Sequence, residues 1–178
     1  VSADQVKKLP PYYPDTQSVR ETWARMLSNA QLMDFQLGQI VRQLKEDGLY
    51  DNSYIFFFSD HGGTLPWMKR EILERGTHIP FIVKLPKNQR AGTKDTDLHS
   101  AVDIAPTVLS IAGIQIPSYI QGQAFLGPQA VSKPRKYVFA GRDRMDECRD
   151  RVRSVRDKQF RYIYNFHPEL PKYQNIGY

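Results

Sequence analysis

The spacing of apolar residues predicts one long helix near the beginning of the chain. Across residues 15–47 the apolar positions recur at intervals of three and four, which is the period of an amphipathic helix. Pro14 and Asp15 are typical of a helix beginning, and Gly48 is typical of a helix end. We therefore expect a single helix over this range, with one apolar side.

Two short apolar runs come next and predict strands. Residues 54–59 are aromatic and β-branched without alternation, which is typical of a strand buried on both faces. Residues 79–85 form a second run that closes at Pro86. A short helix is expected between them, at residues 66–74. Since a helix that connects two strands usually forms a right-handed crossover, we expect the two strands to be parallel.

The remaining chain predicts a short helix and three further strands. The helix covers residues 102–112, with Asp103 as its cap and Gly113 as its terminator. Extended segments are expected at residues 136–140, 151–155 and 160–166, and residues 156–159 would connect the last two as a hairpin. These segments indicate a small antiparallel unit.

The predicted fold class is therefore α/β. It consists of part of a mostly parallel sheet flanked by helices, followed by a small C-terminal antiparallel β unit. The expected division places the α/β portion in residues 1–130 and the antiparallel subdomain in residues 131–178.

Composition narrows the class of protein. The chain has 178 residues, of which 40% are hydrophobic and 12% aromatic, as in a globular protein. Its single cysteine, Cys148, excludes a disulfide framework within the chain. No apolar run reaches the roughly 18 residues of a membrane-spanning helix, and the first residues lack the apolar core of a signal peptide. We therefore expect no membrane span in this segment.

Positive charge is concentrated near the C-terminus. The formal net charge is +6, and residues 133–161 contain eleven Lys and Arg against five Asp and Glu, a difference of six. Such a segment can attract nucleic acid, a membrane surface or an anionic substrate. It can equally be a solvated basic face that binds nothing, and charge alone does not decide between these readings.

The first strand ends in residues that can bind a cation. Asp60 and His61 follow it directly, and Gly62 and Gly63 permit a sharp turn after them. Ligands of open α/β sheets bind at the carboxyl ends of strands, where a carboxylate and an imidazole can share one metal ion. A capping aspartate beside a surface histidine would give the same triplet, so the pattern alone leaves both explanations open.

Four successive segments resemble the second half of a sulfatase, within the alkaline phosphatase superfamily. They are "YYPDTQSVRETWARML", "MDFQLGQIVRQLKEDGLYDNSYIFFFSDHGG", "MKREILERGTHIPFIVKLP" and "SAVDIAPTVLSIAGIQIPSYIQGQAFL", which together extend over residues 9–126. The later stretch "GRDRMDECRDRVRSVRDKQFRYIYNFHPELP" is most similar to the sulfamidase (heparan N-sulfatase)-like branch and related polysaccharide sulfatases.

This resemblance implies roles for several residues. Asp60 and His61 would be two ligands of one divalent cation, usually Ca²⁺, and Lys69 would hold a sulfate oxygen. A solvated helix lysine is the alternative for Lys69. His78 and His99 are weaker candidates for substrate contacts, since either residue could instead be structural.

Arg142, Asp143 and Arg144 are proposed from the sequence as substrate-subsite residues. They follow the apolar strand "YVFA", and arginine binds sulfate or carboxylate through two parallel hydrogen bonds. The competing interpretation is a structural lattice of salt bridges over residues 142–156.

The resemblance also implies a part of the enzyme outside these residues. Sulfatases use a formylglycine nucleophile made from a C/S-x-P-x-R motif, which this sequence lacks, so we expect that motif upstream and expect this segment alone to be inactive. The expected partners are a sulfated carbohydrate substrate and the remaining N-terminal part of the sulfatase, with no nucleic acid. Relatives of this kind are periplasmic, secreted or lysosomal. The alternatives are a phosphodiesterase or phosphonate hydrolase of the same superfamily, or a non-catalytic polyanion-binding domain.

Overall fold

The computed structural model describes residues 1–171, except for the side chain of Met145. The chain forms two compact units. The first consists of residues 1–69 and 78–93, and the second of residues 70–77 together with the chain from residue 94 onward. The predicted division at residue 130 stays a prediction. Among the described residues, no helix combines the length and the apolar character needed to cross a membrane.

Helix α1 (Gln17–Glu46) is the main element of the first unit. The side chain of Thr16 accepts a hydrogen bond from the backbone N–H of Val19 and caps the first turn. The helix ends before Gly48, whose φ of 69° lies in the left-handed region that favours glycine. The predicted long helix is therefore confirmed, with ends that differ from the prediction by one or two residues.

The apolar side chains of α1 are largely exposed in this structure. Only Ala24 is buried within the helix, whereas Leu32, Phe35 and Ile40 each expose more than half of their surface. The helix thus has an apolar surface that the described residues do not cover.

Strands β1 (Ile55–Phe58) and β2 (Phe81–Lys84) pair with each other in antiparallel orientation. The expectation of a parallel crossover between them is therefore wrong. A parallel pair needs a connection that returns along the sheet, usually on a full helix, but the connection here contains only α2 (Glu74–Thr77), a single turn. The helix expected at residues 66–74 is likewise absent, because turns occupy most of that range.

The expectation that β1 is buried on both faces also fails in this structure. Its residues are half-buried, and Phe58 exposes 43% of its surface. The ring of Phe58 packs against the ring of Phe81 on the paired strand, at 5.4 Å between centroids. A two-stranded sheet cannot cover both faces of its own strands.

The second unit contains a three-stranded antiparallel sheet, which confirms the predicted antiparallel unit. Its strands are β3 (Val138–Met145), β4 (Cys148–Arg156) and β5 (Arg161–Asn165), in the order β3-β4-β5. A register shift between Arg142 and Arg144 interrupts the β3–β4 pairing. Along β4 the buried positions alternate, so Asp150, Val152 and Ser154 share the inner face.

Helix α3 (Ile104–Ile111) buries a polar side. Asp103, Thr107 and Ser110 are almost fully buried and follow one another at helical spacing. They accept hydrogen bonds from the backbone N–H groups of residues 123, 125 and 129, respectively. Asp103 occupies the predicted N-cap position of α3, but its side chain makes no capping hydrogen bond to that helix and accepts instead from the N–H of Ser100, at 2.9 Å, in the preceding turn. Its larger role is to hold the following loop against the helix, together with the other two side chains.

Candidate functional site

Asp60 and His61 come together at the end of β1, as the sequence predicts. Asp60 Oδ2 lies 3.5 Å from His61 Nε2, and the aspartate side chain is 84% exposed. The other ring nitrogen of the histidine, Nδ1, lies 2.5 Å from the carbonyl oxygen of Gly62. Because a carbonyl oxygen only accepts, Nδ1 carries a proton and donates it there.

This tautomer bears on what the pair can bind. With the proton on Nδ1, a neutral His61 presents the lone pair of Nε2 toward the carboxylate of Asp60. Two facing acceptors repel each other unless a proton or a cation lies near both of them. An oxygen donor and an imidazole nitrogen suit a divalent cation, so the two side chains fit the predicted role.

The pair supplies only part of a coordination sphere. Among residues 1–171, no three His, Cys, Asp or Glu side chains converge on one point. A calcium ion takes six to eight oxygen ligands in proteins. Further carboxylate ligands for a cation at Asp60 and His61 would have to come from chain outside the described residues.

Lys69 lies at the close of a tight loop that follows the pair. Its backbone N–H donates to the carbonyl oxygen of Gly63 at 2.8 Å, and its side chain is exposed. Leu65 and Met68 are buried and anchor the loop. This backbone hydrogen bond therefore places Lys69 next to Gly63, although the loop between them forms no helix.

Two residues beside Lys69 adopt a backbone conformation that is unusual for them. Trp67 has a φ of 70° and Arg70 a φ of 68°, both in the left-handed region. For non-glycine residues this conformation costs about 1–3 kcal/mol and persists only where the surroundings enforce it. Strain of this kind is concentrated at ligand-binding loops, which is consistent with a functional loop at residues 62–70.

The two weaker histidine candidates have separate surroundings. His78 is exposed and belongs to the first unit. His99 belongs to the second unit, where its Nε2 lies 3.2 Å from Asp95 Oδ2 and its ring packs 4.6 Å from that of Phe125. The contacts of His99 are those of a structural histidine, and its role in substrate binding stays a prediction.

Arg142 is buried within an ionic cluster. Its side chain is 11% exposed, and Nη2 lies 2.5 Å from Asp150 Oδ2. On the other side, Nη1 donates to the backbone carbonyl of Arg70 at 2.6 Å and lies 3.6 Å from Glu71 Oε2. Both carboxylates are themselves buried. The guanidinium is thus largely occupied by contacts within the protein.

The two neighbours of Arg142 are exposed. The carboxylate of Asp143 is 67% exposed and pairs with Arg153 at 2.7 Å. Arg144 is exposed and lies opposite Arg149 in the β3–β4 register. The three proposed subsite residues therefore differ: one is buried, one forms a surface ion pair, and one reaches solvent. Their roles in substrate binding stay predictions.

Glu74 is the centre of a second ionic cluster. It accepts hydrogen bonds from Arg156 and Arg161, with all three contacts at 2.9 Å. Arg161 also donates to the carbonyl of Ile72 and the hydroxyl of Thr77. Burial by itself raises the pKa of Glu74, but the two arginines outweigh it and lower the pKa to about 2.

Much of the C-terminal basic segment is thus used inside the protein. Arg142, Arg156 and Arg161 hold residues 70–77 against the antiparallel sheet rather than facing an external anion. This arrangement supports the structural lattice that was the competing interpretation of the segment. It also weakens the case for a polyanion-binding domain, because fewer basic groups are free for phosphates or sulfates.

Sequence reasoning missed the acidic partners of Arg142 and the neighbouring His167. Glu71 and Asp150 are separated from each other by about eighty residues, and no local pattern relates them. The one sequence feature that could have indicated a buried Asp150 is the alternation along β4, which assigns Asp150 to the same face as Val152. No sequence pattern singles out His167, whose Nε2 is buried in the structure.

Known protein families match most of this sequence. The sulfatase family model matches residues 4–114. A second family model, described as N-sulphoglucosamine sulphohydrolase, C-terminal, matches residues 62–173.

Two curated proteins show the extent of the similarity. An ulvan-active sulfatase of Formosa agariphila is 45% identical over 178 residues, which is 100% of this chain and 30% of that protein. The N-sulphoglucosamine sulphohydrolase of Homo sapiens is 25% identical over 180 residues, covering 94% of this chain and 36% of that protein. The chain therefore spans about a third of the length of these relatives.

A solved structure shares the fold. It is a complex described with its substrate D-glucosamine-2-N,6-O-disulfate, and it superposes with a TM-score of 0.67 at 27% identity, covering 88% of this chain and 33% of that one. A carboxylate and an imidazole follow β1 in this chain, and an exposed lysine closes the loop after them. The chain belongs to the sulfatase family.

Proposed function

We propose that this chain is the latter part of a sulfatase that hydrolyses sulfate groups on a carbohydrate. The observation that carries the proposal is the convergence of Asp60 and His61 at the end of β1, with Lys69 in the closed loop that follows. The sulfatase family model and the carbohydrate-active relatives support the same reaction class.

The side chains would act on the sulfate in different ways. Asp60 and His61 would hold a divalent cation, Ca²⁺ by family resemblance, which supplies electrostatic stabilisation of the sulfate oxygens when bound. The exposed ammonium of Lys69 would donate hydrogen bonds to a sulfate oxygen and offset charge that develops during transfer. The nucleophile, a formylglycine, would belong to the part of the longer protein outside these residues.

Location follows from the same resemblance. We propose that the full protein is periplasmic, secreted or lysosomal, since its substrate would be an extracellular or lysosomal sulfated carbohydrate. The expected partners remain that substrate and the N-terminal part of the enzyme.

The test uses the full-length protein with an aryl sulfate, an aryl phosphodiester and a sulfated saccharide. Lys69→Met should lower kcat/KM on sulfates by about 10²–10³, as loss of one electrostatic contact to the transition state does elsewhere. Asp60→Asn should reduce both activity and calcium affinity. Lys7→Met, which changes another exposed lysine of the same unit, is the matched control and should change neither.

Three outcomes would contradict the proposal. Unchanged sulfate hydrolysis in Lys69→Met or Asp60→Asn would remove these residues from the site. Preference for the phosphodiester would favour the phosphodiesterase alternative. A protein that hydrolyses neither ester but is retained on heparin would be a polyanion-binding domain.

A further inference from the structure

The loop of residues 63–69 contains a turn in which tryptophan stands where glycine is usual. The N–H of Met68 donates to the carbonyl oxygen of Leu65 at 3.2 Å, which closes a four-residue turn. Pro66 is the second residue of the turn, and its ring fixes φ there at about −65°. Trp67 is the third residue and has a φ of 70°. A negative φ followed by a positive one defines a type II turn, whose third position favours glycine or asparagine.

A type I turn over the same residues would remove the strain at Trp67. The two types differ by rotation of the central peptide group, and in type I the third residue has a negative φ that any side chain adopts. The hydrogen bond between Met68 and Leu65 can form in both types. A further interaction must therefore favour the type II form, in which the Pro66 carbonyl points the other way.

Tyr13 supplies that interaction. Its hydroxyl donates to the carbonyl oxygen of Pro66. This oxygen belongs to the peptide group that rotates between the two turn types, so the hydroxyl loses its acceptor if the turn changes. The ring of Tyr13 packs edge to face on that of Trp23 in α1, with 5.6 Å between centroids and 82° between planes. A side chain fixed on the long helix thus binds the one carbonyl whose direction distinguishes the two forms.

The form of the turn affects Lys69, which follows it directly. From the ideal angles of the two types, the chain direction beyond the turn differs by about 40°. The N–H of Lys69 donates to the carbonyl oxygen of Gly63 at 2.8 Å, and a rotation of that size would move it away from this acceptor. The exposed ammonium of Lys69 would move with its backbone.

We propose that Tyr13 is a positioning residue for Lys69, because its hydroxyl holds the turn of residues 65–68 in the type II form. The role of Lys69 toward sulfate rests on the proposed function, whereas the hold on the turn does not. Tyr13 touches neither the substrate nor the cation in this scheme. It keeps the ammonium where a sulfate oxygen would meet it, and small displacements of such a group lower the rate steeply.

The change to make is Tyr13→Phe in the full-length protein, with kcat/KM measured on an aryl sulfate. It removes the hydroxyl and keeps the ring on Trp23. The value should fall about three- to tenfold, as expected for one lost hydrogen bond. Tyr54→Phe is the matched control, since it removes the hydroxyl of an exposed tyrosine in the same unit and should leave kcat/KM unchanged.

Two backgrounds separate positioning from a general effect on stability. Glycine adopts a positive φ without strain, so in Trp67→Gly the turn no longer needs the hydroxyl, and adding Tyr13→Phe should lower kcat/KM by less than about twofold. In Lys69→Met, adding Tyr13→Phe should have no further effect, because no ammonium remains to be positioned. Equal losses in both backgrounds and in the wild type would mean that Tyr13 only stabilises the protein, and would overturn the proposal.

Hydrogen exchange of the Lys69 amide tests the turn independently of activity. Its protection depends on the bond to Gly63 and should fall about three- to tenfold in Tyr13→Phe but not in Tyr54→Phe. If protection falls but Lys69→Met hydrolyses sulfate as well as the wild type, the hold on the turn stands and the proposed function fails. If Lys69→Met is impaired but Tyr13→Phe keeps the wild-type kcat/KM or the wild-type protection, the proposed function stands and the positioning role of Tyr13 fails.

Discussion

Glu74 gives the sharpest test of how residues 70–77 are held. Its carboxylate joins Arg156 and Arg161, and the pKa falls from its ordinary value of 4.5 to about 2. At 1.36 kcal/mol per pKa unit, this fall sets an upper limit of about 3.4 kcal/mol on what the ionised carboxylate contributes to the stability of the folded state. Because 46% of the side chain is exposed, water screens the interaction, and we expect about 1–1.5 kcal/mol.

The change to make is Glu74→Gln in the full-length protein, because it removes the charge and keeps the size. Hydrogen exchange of the amides of Gly76 and Thr77, which donate to Leu73, reports the local free energy of opening. Their protection at pH 7 should fall by about 1–1.5 kcal/mol. Asp97→Asn is the matched control, since it breaks an exposed pair with Lys158 and should cost less than about 0.5 kcal/mol.

The dependence on pH has a definite sign. A carboxylate whose pKa is lower in the folded state contributes its full stability above its unfolded value of about 4.5. That contribution is lost as the pH falls from about 4.5 toward 2. The difference between wild type and Glu74→Gln should therefore shrink across this window. The reasoning is refuted if Glu74→Gln and Asp97→Asn lower the amide protection equally at pH 7. It is also refuted if the difference between wild type and Glu74→Gln keeps its full size at pH 2.

Other variants test the packing of α3, by urea unfolding of the full-length protein. Asp103→Asn should destabilise it by about 3 kcal/mol, because it breaks a buried pair with Arg135, and equal stability would contradict this. Gly122→Ala should cost more than about 2 kcal/mol, since the new Cβ would lie 1.9 Å from the carbonyl oxygen of Val102. Gly38→Ala has open space in α1 and should instead stabilise by about 0.5–1 kcal/mol, so similar effects in the two glycine variants would refute the packing argument.

Elements defined by local signals could be predicted from the sequence. The period of three and four residues and the glycine at position 48 were sufficient for α1. The pairing direction of β1 and β2 was predicted wrongly, because direction depends on how the whole connection packs, which no local pattern specifies. The polar side of α3 was invisible for the same reason, since its hydrogen bonds go to a loop that follows the helix.

In the candidate site, too, the features set by neighbouring residues could be predicted and those set by distant contacts could not. Asp60 and His61 are adjacent in sequence, so the pair could be predicted directly from the end of a strand. The sequence placed Arg142 after a strand, whereas it lies within β3, and its buried carboxylate partners were not predicted. A charged group can be buried only where the fold supplies partners for it, and these can lie about seventy residues away in sequence, as Arg70 does from Arg142.

The arginine contacts to residues 70–77 have a consequence for the order of folding. Arg142 and Arg161 bond to backbone carbonyls that precede them by 72 and 89 residues. Such distant closures are entropically costly and form late, after local hairpins. During synthesis, residues 70–77 would leave the ribosome long before β3–β5 exist to receive them. The segment that directly follows Lys69 should therefore be among the last parts of this chain to become ordered, and early termination before β3 should leave it exposed to proteases.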